Sequence, residues 1–128
     1  MIAEAIRKAQ RRHREILEAS YDGSLTVFEY QQVKNPQTKL TEQKEVMVLE
    51  NQPCKLSHDS VQASVKERGA EEVSQLIRLF LAPEVVMKPG SKLSVTQNGV
   101  TREYQCSGVP AVYGTHQEIL LTLFERWA

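Results

Sequence analysis

The chain has 128 residues, one domain's worth, and is long enough to bury a core without disulfide or metal staples. Its 41% hydrophobic and 25% charged content is ordinary globular usage and excludes wholesale disorder, collagen and fibrous coiled coil. Sixteen basic residues cancel sixteen acidic ones, so no overall field gathers nucleic acid and any functional signal is local.

Ile2 to about Ala19 reads as a helix. Ile2, Ile6, Ala9, His13 and Ile16 recur at three- and four-residue steps and make one stripe, and Gly23 follows as a stop. Arg7, Lys8, Arg11, Arg12 and Arg14 lie largely off that stripe. They are either a basic face for an acidic partner or DNA, or a solvated face laced by Glu4–Lys8, Arg11–Glu15 and Arg14–Glu18 pairs. After the turn signal Tyr21-Asp22-Gly23-Ser24, Leu25, Val27 and Glu29 alternate with Thr26, Phe28 and Tyr30, which predicts a strand. Val33–Gln43 is polar and predicts a long connection. Lys44–Glu50 predicts a second strand and Pro53–Ser57 a short third, followed by a long loop over His58–Gly69. Glu71–Leu81 fits a helix through Val73, Leu76, Ile77 and Phe80. It fits a strand equally well through Val73, Gln75, Ile77, Leu79 and Leu81.

The last third is clearer. Lys88-Pro89-Gly90-Ser91 is a turn. Lys92–Gln97 turns Leu93 and Val95 inward, and Asn98-Gly99 marks a tight hairpin into Val100–Cys106, with Tyr104 and Cys106 on one side. His116–Phe124 alternates as a final strand. The fold class expected is mainly β with an N-terminal α-helix. It is one domain over residues 1–128, with a helix over 1–20 and, over 24–124, a small barrel or rolled antiparallel sheet of about six strands, the helix packed outside.

Several chemistries lack their residues. Leu79–Ala82 stops at Pro83 and Ile119–Leu121 at Thr122, far short of the ~20 apolar residues of a membrane span. Met1–Ala9 carries charge where a signal peptide needs an apolar core, which predicts synthesis in the cytoplasm. Cys54 and Cys106 form no CxxC pair, and His13, His58 and His116 are scattered. No metal, no cofactor and no enzymatic role is therefore expected. Both thiols read as reduced strand residues, with a disulfide the lesser alternative. His116 beside Glu118 lacks a nucleophile unless the fold brings Cys106 to it.

Leu79–Ile119 reads in order as apolar strand, proline-containing loop, Lys-Pro-Gly turn, strand, Asn98-Gly99, strand, and a Tyr-x-x-His-x-Glu return through Tyr113, His116 and Glu118. This segment resembles the head-closure (stopper, or head-completion) proteins of long-tailed bacteriophages, in the version carried by Bacillus phages and the defective prophage PBSX. Pro83, Gly90, Leu93, Tyr104, Tyr113, His116 and Glu118 match. Ser91 departs, since many members carry Asp after that glycine. The resemblance covers about a third of the chain and implies that Glu71–Leu81 is a strand. It also implies a phage structural protein of the head–tail connector, located in the virion neck, that closes the DNA exit channel and offers the tail a docking surface. Its implied partners are the portal or adaptor ring, tail proteins, further copies of itself in a ring, and packaged DNA in the channel, with no membrane. Candidate assembly contacts are Arg7, Arg11 and Arg14 on the helix and Asn35, Lys39, Thr41, His58 and Lys66 in the two long loops, one of which is expected to reach the channel or the adjacent ring. The competing readings are another neck component (adaptor or tail terminator) and a small-barrel nucleic-acid-binding module.

Overall fold

Side chains of alternating exposure, hydrophobic on one face, require a sheet that covers that face, and a single sheet of this length covers it by closing on itself. The computed structural model, which describes residues 2–63 and 72–127, shows this closure. Helix α1 (Ile2–Ala19) precedes β1 (Gly23–Lys34), β2 (Thr41–Ala63), β3 (Glu72–Leu81), β4 (Lys92–Gln97), β5 (Val100–Cys106), β6 (Ala111–Val112) and β7 (Gln117–Leu123). The sheet runs β3-β2-β1-β4-β5-β7-β6, and an additional β3–β7 pairing closes a barrel. Every pairing is antiparallel. Inside lie Leu25, Val27, Cys54, Leu56, Leu79, Leu81, Met87, Leu93, Val95, Tyr104, Ile119 and Leu121. The expected inward face of β4 is thus the real one, and Tyr104 and Cys106 share the side of β5 that meets the core.

The hairpin between β4 and β5 turns at Asn98 (φ 53°) and Gly99 (φ 76°), the pair of positive φ values that a two-residue turn needs. Gly90 also sits at positive φ (83°). The Glu71–Leu81 ambiguity resolves to strand over Glu72–Leu81, as the resemblance implied.

Four expectations are corrected. Residues 33–43 are not a long loop: β1 continues through Lys34 and β2 begins at Thr41, leaving only Asn35–Leu40 as a turn. The two strands expected over Lys44–Ser57 are one strand, bent by register shifts opposite Leu25–Phe28, with Asn51 at φ 55°. His58–Ala63 is strand rather than loop, paired with Glu72–Ile77, while the remainder of the expected 58–69 loop, including Lys66, lies outside the described residues. A two-residue strand, β6, pairs with Gln117 and Glu118 where a connection was expected. The first misreading has a plain cause. Where Glu29–Lys34 and Thr41–Val46 leave the barrel none of their residues is buried, so no apolar alternation marks the ribbon as strand.

Helix α1 lies outside the barrel as expected, but its apolar stripe does not hold it there. None of its residues is buried, and Ile2, Ile6 and Ile16 are 81%, 52% and 63% exposed.

Candidate assembly surfaces

β2 belongs to two ribbons. Its first half pairs with β1 and its second half with β3, the change falling at Cys54, which faces both Gly23 and Leu81. β4 accompanies β1 only over Ser24–Phe28, so Glu29–Lys34 and Thr41–Val46 run on as a two-stranded arm. β7 accompanies β3 only from Ile77 to Leu81, so Asp59–Ala63 and Glu72–Leu76 form a second arm at the other end of β2. One closed barrel thus carries two arms, one at each end of β2.

The first arm contains three of the expected contacts, and each has a structural task. Asn35 Oδ1 accepts N–H bonds from Gln37 (2.9 Å) and Thr38 (3.3 Å), closing the tip as an Asx turn. Lys39 takes a positive φ of 59° and donates its N–H to the Asn35 carbonyl at 2.8 Å. Thr41 opens β2 opposite Lys34. The base of the arm is fastened to the barrel. Lys92, on β4, forms ion pairs with Glu45 of the arm and with Glu103 of β5 (3.2 Å), and lies over the Phe28 ring at 4.8 Å. Trp127 stacks on Tyr30 at 5.1 Å and meets Phe124 edge-on at 5.0 Å, strapping the C-terminal tail across the arm.

On the helix, Arg7, Gln10, Arg11 and Arg14 line a groove of about 460 Å³ that Gly114 bounds on the other side. This flank is turned roughly 130° from the apolar stripe at 3.6 residues per turn, so α1 shows its cations to the barrel and its isoleucines to solvent. Arg14 is engaged: it pairs with Glu18 at 3.0 Å and with Glu84 of the β3–β4 loop. The hydrogen bonds to Glu84 and then Glu18 raise the Arg14 pKa, and the same Arg14 bond lowers that of Glu84. Both groups are largely solvated, so the link fixes orientation more than it stabilises. Arg7 and Arg11 have no ion pair among the described residues, and remain the cations of the set available to a partner. His58 is exposed at the base of the second arm, still within the barrel, opposite Ile77.

The motif residues assemble around the β6–β7 end. Tyr113 stacks on His116 at 4.9 Å. His116 Nδ1 is 3.0 Å from Thr115 Oγ1 and its Nε2 is 3.3 Å from Glu118 Oε2. The i,i+2 pair on one strand face does form. Beside it a hollow of about 300 Å³ is lined by Arg78, Val109, Ala111, Tyr113, Glu118 and Leu120, among others, with Val109 94% exposed. Cys106 does not join His116: it faces Leu121, five residues further along β7, about 16 Å away at strand rise. Tyr104 is a core residue, and Pro83 lies in the loop that Arg14 reaches through Glu84. The two cysteines are free. Burial pushes the Cys54 thiol up to about 12 and raises that of Cys106, so neither is a ready nucleophile.

Two glutamines that the sequence reading passed over organise this scaffold. Gln117 is buried, and its Nε2 donates to the carbonyls of Ala82 (2.7 Å) and Val85 (2.6 Å), holding the β3–β4 loop. Its signal was parity, since it shares the inward set with Ile119 and Leu121. Gln97 Oε1 accepts the Leu56 N–H at 2.8 Å and its Nε2 donates to the Leu56 carbonyl at 3.3 Å. A side-chain amide therefore takes the place of β1 just ahead of its first residue, Gly23, a role with no local sequence signature.

No helix is long and apolar enough to cross a membrane, and no group of three or more His, Cys, Asp or Glu side chains able to hold a metal occurs, in each case among the described residues. No family model matches the chain and no curated protein matches it. Among solved structures it is similar to the phage-like element PBSX protein xkdH from Bacillus subtilis, with a TM-score of 0.47 at 5% sequence identity, over 78% of this chain and 91% of that one.

Proposed function

We propose that this protein is a structural part of the head–tail connector of a long-tailed phage or prophage, closing the DNA exit channel after packaging and presenting the surface on which the tail docks. The observation that carries the reading is the pair of arms on one closed barrel. A part that sits between two assemblies must touch both, and this chain has a protrusion at each end of its longest strand. The motif segment adds support: strand, Pro83 loop, Gly90 turn, Asn98-Gly99 hairpin and Tyr113–Glu118 return all occur in the order the resemblance requires. The role involves no covalent chemistry. Many copies sit side by side around the channel axis, head to tail, as closed rings demand. Arg7 and Arg11 are the cations placed to meet an acidic neighbour or the packaged DNA.

The test is mass spectrometry and electron microscopy of particles after prophage induction, with the gene intact and deleted. The expected result is the chain in the particle, and DNA-leaky heads with unattached tails on deletion. Absence from particles, together with normal heads and tails on deletion, refutes the reading and favours the nucleic-acid module.

A further inference from the structure

The first arm leaves both of its long edges unpaired. β4 parts from β1 at Phe28, and β3 parts from β2 at Cys54. Beyond those points Glu29–Lys34 and Thr41–Val46 pair only with each other. The Asn35 N–H donates to the Leu40 carbonyl, which fixes the alternation of the ladder. The backbone N–H and C=O groups of Tyr30, Gln32 and Lys34 face outward on one edge, and those of Thr41, Gln43 and Glu45 on the other. Soluble proteins blunt such edges with proline, bulges, charged side chains or a covering loop. Here Pro36 sits at the tip and Pro53 beyond the end, with no proline along either edge, and the protection present is charge, from Lys34 on one strand and Glu42, Lys44 and Glu45 on the other. A groove of about 290 Å³ lies alongside the β1 edge where β4 would have continued, walled by Tyr30, Gly90, Ser91 and Trp127 among others. Ser91 is 3% exposed, and its Oγ has no hydrogen-bond partner.

We infer that the arm is a strand-addition site for a second copy of this chain: the β1 edge of one arm pairs antiparallel with the β2 edge of the next. The choice of occupant follows from closure. A two-fold β1–β1 contact satisfies one edge and leaves the other open. The head-to-tail contact uses both edges of every copy, and repetition around an axis leaves none. The main-chain bonds supply the attraction, and the groove beside Tyr30 admits the incoming strand. The inference rests on the connector reading only for the premise that copies meet side by side.

The experiment mixes two proteins, Gln32→Cys and Gln43→Cys, each in a Cys106→Ser background that leaves only the buried Cys54 beside the added thiol, and treats them with a short bismaleimide. It is run on purified protein at high concentration and separately on induced particles. The expected result is a several-fold excess of 32–43 cross-linked dimer in the mixture over any dimer from either variant alone. Lys34→Pro, added to the Gln32→Cys protein, removes an outward N–H and leaves the internal ladder intact, and should abolish that excess while the monomer stays folded by circular dichroism. Predominant 32–32 product, or no 32–43 product in either sample, overturns the inference. Absence of the chain from particles defeats the connector reading alone, because cross-linking of the purified protein still decides the arm.

Discussion

Gln117 gives the sharpest test of how the barrel is held. Its side-chain amide is a buried donor to two main-chain carbonyls of the β3–β4 loop. Gln117→Met keeps the volume and the unbranched shape, so no cavity opens. What is lost is two hydrogen bonds, each worth about 0.5–1.5 kcal/mol net, while the Ala82 carbonyl keeps the Val85 N–H at 3.3 Å. The expected destabilisation is about 1–3 kcal/mol, read as a lower urea midpoint at unchanged slope by far-ultraviolet circular dichroism. Gln117→Glu sharpens the test through pH. A carboxylate facing two carbonyl oxygens is disfavoured and a protonated carboxyl can donate to one of them, so the folded pKa of that Glu rises above its unfolded value of about 4.3. Its stability is then greatest below about pH 4.3 and is lost as pH rises toward the folded pKa, relative to the parent protein. A Met variant within about 0.5 kcal/mol of the parent, or a Glu variant whose deficit does not grow with pH, would refute the assignment of this side chain as the anchor of the loop.

Three further outcomes follow from other contacts. Gly23→Ala places a Cβ 2.9 Å from the Cys54 carbonyl oxygen and 3.1 Å from Gln97 Oε1. It should cost about 1–3 kcal/mol by overpacking, and a thermal midpoint equal to the parent's would show that β2 gives way freely there. The Cys54 thiol, at about 12 when folded against about 8.5 unfolded, contributes stability that is complete below about pH 8.5 and declines as pH rises toward 12. Urea midpoints from neutral to alkaline pH should therefore fall more steeply for the parent than for Cys54→Ala, and parallel curves would contradict the burial account. Trp127→Ala removes two aromatic contacts worth about 0.5–1.5 kcal/mol each. It should speed hydrogen exchange of the Gln31 and Val33 amides while leaving Leu25 and Val27 protected, and unchanged exchange on the arm would mean that the strap does not hold it.

The barrel was legible in the sequence wherever one face of a strand meets the core. Leu25 and Val27 flank Thr26, Leu93 and Val95 flank Ser94, and Ile119 and Leu121 flank the outward Leu120, and all six are buried. The turn at Asn98-Gly99 was legible because its backbone demands those residue types. The arms were not, since a ribbon solvated on both faces has no reason to alternate, and Gln31, Gln32, Gln43 and Lys44 look like loop residues. Gln97 and Lys92 act on partners 41 and 47 positions away in sequence, Leu56 and Glu45, and no local pattern encodes such a pairing. The helix was read correctly as a helix and incompletely as a packing element. Periodicity shows that a stripe exists and is silent about what it meets, and here the cationic flank faces the barrel instead.

β2 is one unbroken strand of 23 residues running from the tip of one arm to the far arm, about 70 Å of extended chain at strand rise. Tension applied between its two ends runs parallel to the strand, so the ladders with β1 and β3 are loaded in shear and their bonds resist together. A sideways force on either tip loads the same bonds one after another, and the ribbon peels. The molecule is thus stiff along one line and yielding across it, with the register-shifted stretch near Asn51 as the place where the two ends can change angle without breaking the strand.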